Sequence, residues 1–239
     1  MADGIYVGMA AAAARAEQLE SIADNLSNIE TPGFKASHPA FQSFLPARSG
    51  PGADKVSTAA VGTGADLSPG TVVTTENPLD ILPKDDAFIM VRTATGPAYT
   101  RNGRMIVSPD GFLTTGGRLV IGATTGEPIQ IPVGSTPLVT ERGAVMVGNV
   151  ELDRLALFKI QGPAAHVGPS LYTAGPGGAV VPAPIGLGVS IGQLEMGNTT
   201  ALDATVQMIG AQRQFETAMQ AIQTYKRLDD RVIEVGKSR

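Results

Sequence analysis

The sequence predicts an α+β protein whose N- and C-terminal helices form a coiled-coil-like domain, with a central all-β domain between them in the chain. Three observations carry this: a 4–3 apolar spacing confined to the two ends, a Gly/Pro-rich stretch after the first of them, and a middle of short apolar runs separated by turn dipeptides. At 239 residues and 43% hydrophobic content the chain can bury a sizeable core.

Ile5, Met9, Ala12, Ala16, Leu19, Ala23 and Leu26 step by 4, 3, 4, 3, 4 and 3, a heptad seam that fits no strand. Ala10 to Ala14 favour helix, Asp3 can cap it, and Pro32-Gly33 stops it. The spacing therefore predicts a helix over about residues 4–28, roughly 36 Å long at 1.5 Å per residue. With its connector it forms the first piece of the helical domain, residues 1–45. Residues 46–75, containing "PARSGPGADKVSTAAVGTGADLSP", read as an extended linker with room for one short strand.

Residues 76–196 read as the β-domain. The turn pairs Asn102-Gly103, Asp110-Gly111 and Gly116-Gly117 enclose "RMIVS" and "FLTT" and predict a meander. "PIQIPV", "AVMVGNVEL", "LALFKI" and "VVPAPIGLGVSIGQLEM" continue it. At Asn198 the period changes again: Thr200 and Asp203 resemble a capping box, and residues 197–239 form the C-terminal piece of the helical domain. Met208, Phe215, Met219, Ile222, Tyr225, Leu228, Val232 and Val235 average near 3.5 residues per step once Gln212 is admitted to the seam, and Leu202, Val206 and Ile209 form a second apolar row. A helix to about residue 235 spans roughly 55 Å, longer than a small β-domain can cover. The seams are read as assembly surfaces, with Ile5, Met9, Leu19, Leu26, Met208, Phe215, Met219, Ile222 and Leu228 carrying the contacts.

Charge and motif content exclude several classes. A net charge of −4 offers no basic field for a nucleic-acid backbone or an anionic membrane, and the chain has no cysteine for thiolate chemistry, disulfides or cysteine metal sites. The start lacks a basic n-region and its apolar run is broken by Arg15 and Glu17, so no cleavable signal peptide is expected, nor any direct membrane insertion. His38 and His166 lack partner ligands in sequence and read as exposed loop residues. "EVGKS" has Arg231 where a phosphate loop needs its first glycine, and "GLGVSIG" fails dinucleotide spacing and reads as a strand with close backbone approach. No catalytic, cofactor or metal site is expected.

"NLSNIETPGFK" resembles the signature of the bacterial flagellar rod proteins, a helix closing on N-L-A-N…T-x-G-F-K, through Asn25, Leu26, Asn28, Thr31, Gly33, Phe34 and Lys35, with Ser27 in place of alanine. "TENPLDI" resembles the segment that opens that family's β-domain, through Pro78, Leu79 and Asp80. "YTRNGRMIVSPDGFL" resembles its hairpin, through Tyr99, Thr100, Arg101 and Gly103. "LEMGNTTALDATVQMIGAQRQFE" is similar to its C-terminal helix, including Gln212, Arg213 and Glu216. Within the axial rod and hook group, the "GIYVGM" start, the compact length, and Asp85 and Ala87 in place of the G-x-G-F-F glycines are similar to the proximal-rod type; distal-rod and hook-type members are the alternatives, and a soluble β-domain binding module is a more distant one.

The resemblance implies a structural, non-enzymatic subunit without cofactors, exported by the flagellar type III apparatus and placed in the rod that spans the periplasm. Its implied partners are other rod subunits and copies of itself. In this reading the Thr31-Pro32-Gly33 turn with Phe34 sets the angle between helix and β-domain, and Gly33→Val or Leu26→Asp is expected to abolish incorporation while leaving the β-domain folded.

Overall fold

The computed structural model describes residues 2–44, 57–184 and 186–237; side chains are described at 8–38, 64–184, 186–228 and 231. The chain divides into two compact units. One holds residues 1–26, 37–63 and 201–239, the other residues 27–36 and 64–200.

In the first unit, α1 (Ala2–Ser27) and α2 (Ala201–Lys237) pack together through Leu19, Ile22, Leu26, Ala204, Met208 and Ala211. The helices run antiparallel, because Gly8 near the start of α1 faces Ile222 far along α2, and a Cβ at Gly8 would lie 2.8 Å from Cγ1 of Ile222. The buried side of α2 is Ala204, Met208, Ala211, Phe215, Ala218 and Ile222, a 4–3 heptad row in which alanines alternate with large side chains. The seam positions Ala12, Leu19 and Leu26 of α1 lie on the inward side, but Ile22 is buried where the seam has Ala23, and Met9 and Ala23 face outward; Met219, Tyr225 and Leu228 are exposed on α2. Alanine carries almost no hydropathy signal, so a search for bulky apolar positions misses the Ala204–Ala211–Ala218 half of the row. Ile5, Val232 and Val235 are helical, but their side chains lie outside the described ones.

Strands β1 (Ser37–Phe44) and β2 (Ser57–Ala65) pair as a two-stranded sheet. The stretch 46–75 thus holds all nine residues of β2, longer than the one short strand expected there, and also β3 (Val72–Thr74). At the base of β1, Asn25 acts as a backbone surrogate. Its amide donates to the Ser37 carbonyl at 2.9 Å and its oxygen accepts the Ser37 N–H at 2.8 Å, while the Ser21 hydroxyl donates to the same carbonyl.

The second unit is built on a nine-stranded sheet. After β4 (Ile81–Pro83) come β5 (Phe88–Thr93), β6 (Gly96–Thr100), β7 (Met105–Val107), β8 (Leu113–Thr115) and β9 (Arg118–Val120). A separate three-stranded sheet follows, of β10 (Pro137–Val139), β11 (Ala144–Val147) and β12 (Val150–Arg154). The chain then returns through β13 (Leu157–Gln161), β14 (Ala164–Gly168), β15 (Leu171–Ala174) and β16 (Ala179–Pro182). The large sheet has the order β14-β15-β6-β5-β9-β8-β7, with β13 joining β5 to β16. Finally β17 (Val189–Ile191) pairs with β4, and β18 (Gln193–Glu195) pairs with β3. One core collects Ile81, Ile89, Val91, Met105, Leu113 and Val189 among others, and a second gathers Phe88, Tyr99 and Tyr172.

Turn chemistry explains which of the glycine pairs makes a tight hairpin. Gly116 and Gly117 both have positive φ, at 53° and 73°, and join β8 to β9 as a two-residue turn of primed type. Asp110-Gly111 lies in a longer loop closing β7 on β8. Asn102-Gly103 is no hairpin turn at all: β6 and β7 do not pair, and the Gly103 carbonyl accepts the Ile81 N–H at 3.0 Å. A side chain at Gly103 would strike the Ile81 carbonyl. That glycine serves close approach between backbones.

A buried neck and two helical faces

Residues 28–36 leave helical geometry through a turn in which the Thr31 hydroxyl donates to Oδ1 of Asn28 at 3.2 Å, and the Phe34 N–H reaches the Thr31 carbonyl at 3.2 Å. Gly33 follows with φ +69°, a conformation that L side chains resist, and any Cβ there would run into the Arg101 and Asn102 backbone. Phe34 is buried, with its ring 6.0 Å from that of His166. His166 is therefore not an exposed loop residue. It lies half-buried on β14, 5.0 Å from the Tyr172 ring, whereas His38 is exposed at the start of β1.

The next residue brings a charge inside. The Lys35 side chain is 1% exposed; its ammonium donates to Oε1 of Glu195 at 2.5 Å and to the Ser68 carbonyl at 2.5 Å. Glu195, equally buried, accepts the Gly70 N–H at 2.8 Å on that same oxygen and the Nε–H of Arg101 at 2.5 Å on Oε2. Arg101 donates further to the Ala87 and Pro83 carbonyls and lies 5.7 Å from the Phe88 ring centroid. Every charge has partners, which is the condition under which buried ions are tolerated.

Burial lowers the Lys35 ammonium from its ordinary value, an effect the Glu195 carboxylate opposes. Burial by itself would raise the Glu195 carboxyl; the Arg101 and Lys35 cations with the Gly70 amide outweigh it and hold the group below the usual carboxylate range. Tyr172, pushed well above its ordinary value chiefly by burial, keeps its proton. It can then accept the Lys35 N–H at 2.6 Å while donating to the Gly33 carbonyl at 3.1 Å.

The other signature segments converge on the same place. Asn77 organises "NPLD": its carbonyl and Oδ1 accept the Asp80 and Leu79 N–H groups, and its amide donates to the Asp80 carboxylate. Leu79 packs on the large core; Pro78 is exposed. Thr100 donates to the carbonyl of Ser170, whose own hydroxyl donates to that of Pro32. Tyr99 is buried beside Phe158. Asn198 accepts the Ala36 N–H at 2.7 Å and donates to the Asp66 carbonyl. Sequence matching singled out Lys35 and Arg101 but not Glu195 or Tyr172 as their partners. Gln212, Arg213 and Glu216 lie on the exposed side of α2.

Nothing here is arranged for catalysis. Among the described residues no group of His, Cys, Asp or Glu could hold a metal ion, and no helix is long and apolar enough to cross a membrane. The remaining buried carboxylate, Asp153, is occupied by the Thr124, Thr125 and Arg154 N–H groups and the Thr125 hydroxyl.

Comparison with known proteins accounts for this architecture. Residues 5–35 match the family described as flagella basal body rod protein, and residues 191–235 match the flagellar basal body rod FlgEFG protein C-terminal family. The chain is 33% identical to the flagellar basal-body rod protein FlgF of Salmonella typhimurium over 93% of each chain, and 34% identical to that of Escherichia coli over the same shares. The chain belongs to the flagellar basal-body rod protein family. FlgG of Bacillus subtilis, a sister rod protein, is similar at 27% identity over 94% of this chain and 95% of its own. Membership in the rod family makes the chain a structural component of the flagellum rather than an enzyme. Both family matches take in residues of this cluster: one closes on Lys35, and the other, beginning at residue 191, includes Glu195 and Asn198.

Proposed function

We propose that this chain is a subunit of the proximal flagellar rod, built into the helical drive shaft that crosses the periplasm and carries torque. Its partners are other rod subunits and further copies of itself, reached through the outward faces of a coiled-coil-like α1–α2 pair. It is delivered by the flagellar export apparatus. The FlgF likeness at about one-third identity supports the proximal position, against weaker likeness to FlgG.

One observation carries the assembly mechanism: α2 is apolar on two sides. Ala204, Met208, Ala211 and Phe215 face α1, while Leu202, Val206 and Ile209 on another side are 75%, 62% and 47% exposed. Solvent-exposed rows of this size mark surfaces that a partner covers. Repeating a head-to-tail contact between unlike patches, with a rotation that does not close, generates a helical tube.

The test is Leu202→Asp with Val206→Asp in a strain lacking the native gene. Circular dichroism of the purified variant should match wild type, while isolated basal bodies should lack the subunit and swimming should be lost. Incorporation at the wild-type level would refute the assignment of this face. The Gly33→Val test is less selective than the sequence implies, since Gly33 packs against Arg101 and Asn102 inside the β-unit and its replacement disturbs that unit directly.

A further inference from the structure

Two stretches of chain, one leading out of α1 and one leading into α2, lie against each other within the β-unit. Gly33 donates its N–H to the Glu195 carbonyl at 2.7 Å, the Ala36 N–H reaches Asn198, and a Cβ on Gly197 would come within 3.0 Å of the Ile29 carbonyl. A third stretch, residues 66–71, closes over both: Asp66 donates to the Ala36 carbonyl, Met196 donates to that of Thr71, and Gly70 has no room for a side chain beside Met196. The last of these stretches to leave the β-unit, the one leading into α2, lies 125 and 160 residues from its contacts in the other two, and its one carboxylate touches both.

We propose that Glu195 is a positioning residue, the latch of a neck made of residues 28–36, 66–71 and 193–198, which closes and opens as a unit separate from the large sheet. Its carboxylate acts through Lys35 and Arg101. With the latch closed, the segments joined to α1 and α2 leave the β-unit as one fixed pair; with it neutralised, two buried cations face each other and the neck comes apart first. The sheet does not depend on this carboxylate, because β5, β6, β13 and β15 are held by their own ladders and by the Phe88–Tyr99–Tyr172 cluster. Local opening of this kind is the ordinary behaviour of cooperative sub-structures.

The groups that face the latch are Lys35 and Arg101 directly, Tyr172 through its hydroxyl, and Asp86 across from Lys35. Glu195 is the carboxylate in contact with both cations, and the Glu195→Gln variant separates its part from that of Asp86 and of His166, whose ring lies 6.0 Å from that of Phe34. The inference stands on contacts within the β-unit and does not depend on what the helices bind, so its failure would leave the assembly reading as it is.

Hydrogen exchange on the full-length protein, read by mass spectrometry, tests it. In Glu195→Gln at pH 7, peptides covering 28–36, 66–71 and 193–198 should exchange on the order of a hundredfold faster, as expected when one partner of a buried ion pair is removed. Peptides covering β5 and β13 should hold their wild-type rates. In wild type, the same selective acceleration should develop as pH falls below the glutamate range, after correction for intrinsic exchange, and the variant should lack this pH response. Lys35→Met combined with Glu195→Gln should exchange less than the two single effects predict, because the unpaired ammonium is gone. Uniform acceleration across neck and sheet, strictly additive effects, or an unchanged pH profile would each overturn the latch. Should Glu195→Gln fail to fold, Lys35→Met, which leaves Arg101 paired, carries the same comparison.

Discussion

Asp85 and Asp86 hold φ of +48° and +56°, and aspartate is one of the few side-chain-bearing residues that tolerate such angles. Asp86→Val should therefore cost about 1–2 kcal/mol, and Asp86→Gly close to nothing, measured by denaturant unfolding. Tyrosine emission is a convenient signal for this unit, since Tyr99 and Tyr172 are buried in it and the protein has no tryptophan. Removing the Tyr172 hydroxyl by Phe substitution strips a partner from the Lys35 N–H and the Gly33 carbonyl, at a cost of about 1–3 kcal/mol.

The ionic cluster adds a pH dependence whose sign is fixed by Glu195. Its carboxyl is depressed in the folded state, so as pH falls the unfolded chain takes up its proton first and binds more protons than the native one. The stability it contributes is fully present above about pH 4.3 and is lost as the folded-state value is passed. Glu195→Ala should forfeit roughly 3–5 kcal/mol at neutral pH by leaving two buried cations unpaired. The same variant should show a flatter acid limb in urea titrations.

At the scale of elements, the helices and the β-type middle were legible because their periods differ and because Gly116-Gly117 can only be a tight turn. One position of the α1 seam was not. Ala12, Leu19 and Leu26 lie on the inward side as their spacing implies, but Ile22 is buried where the seam has Ala23, and the neighbouring Ser21 and Asn25 side chains are held by Ser37. Polar partners of this kind leave no mark in hydropathy. Likewise, the Asn102-Gly103 dipeptide carries a hairpin signal that the Ile81 contact overrides. The alanine half of the α2 row gives a direct check. Ala211→Leu would push a branched side chain into the close α1–α2 contact, and overpacking of this kind typically costs about 1–3 kcal/mol. Thermal loss of helical ellipticity should shift downward in that variant while the β-unit transition stays in place.

For the whole molecule, sequence boundaries and structural boundaries differ most at the β-unit. Read from the sequence it begins at residue 76, yet it contains 27–36 and 64–75, because the partners of Glu195 and Asn198 lie there. Long-range ion pairs leave no local trace: Lys35 and Glu195 are separated by 160 positions, and neither residue type announces burial. A fragment spanning 76–196 should accordingly unfold at lower denaturant than one that joins 27–36 to 64–200, and equal midpoints for the two fragments would contradict the assignment of 27–36 to the folded unit.

The antiparallel helices are unequal in reach. With Gly8 set against Ile222, six described residues of α1 lie before that crossing and fifteen of α2 lie beyond it, leaving about nine residues, or roughly 13 Å, of α2 without α1 alongside. A subunit ending in such a step resembles one half of a lap joint: its uncovered tongue can be completed by a neighbour arriving from one direction and not from the other. Stacking these subunits would build polarity into the shaft from the first contact onward.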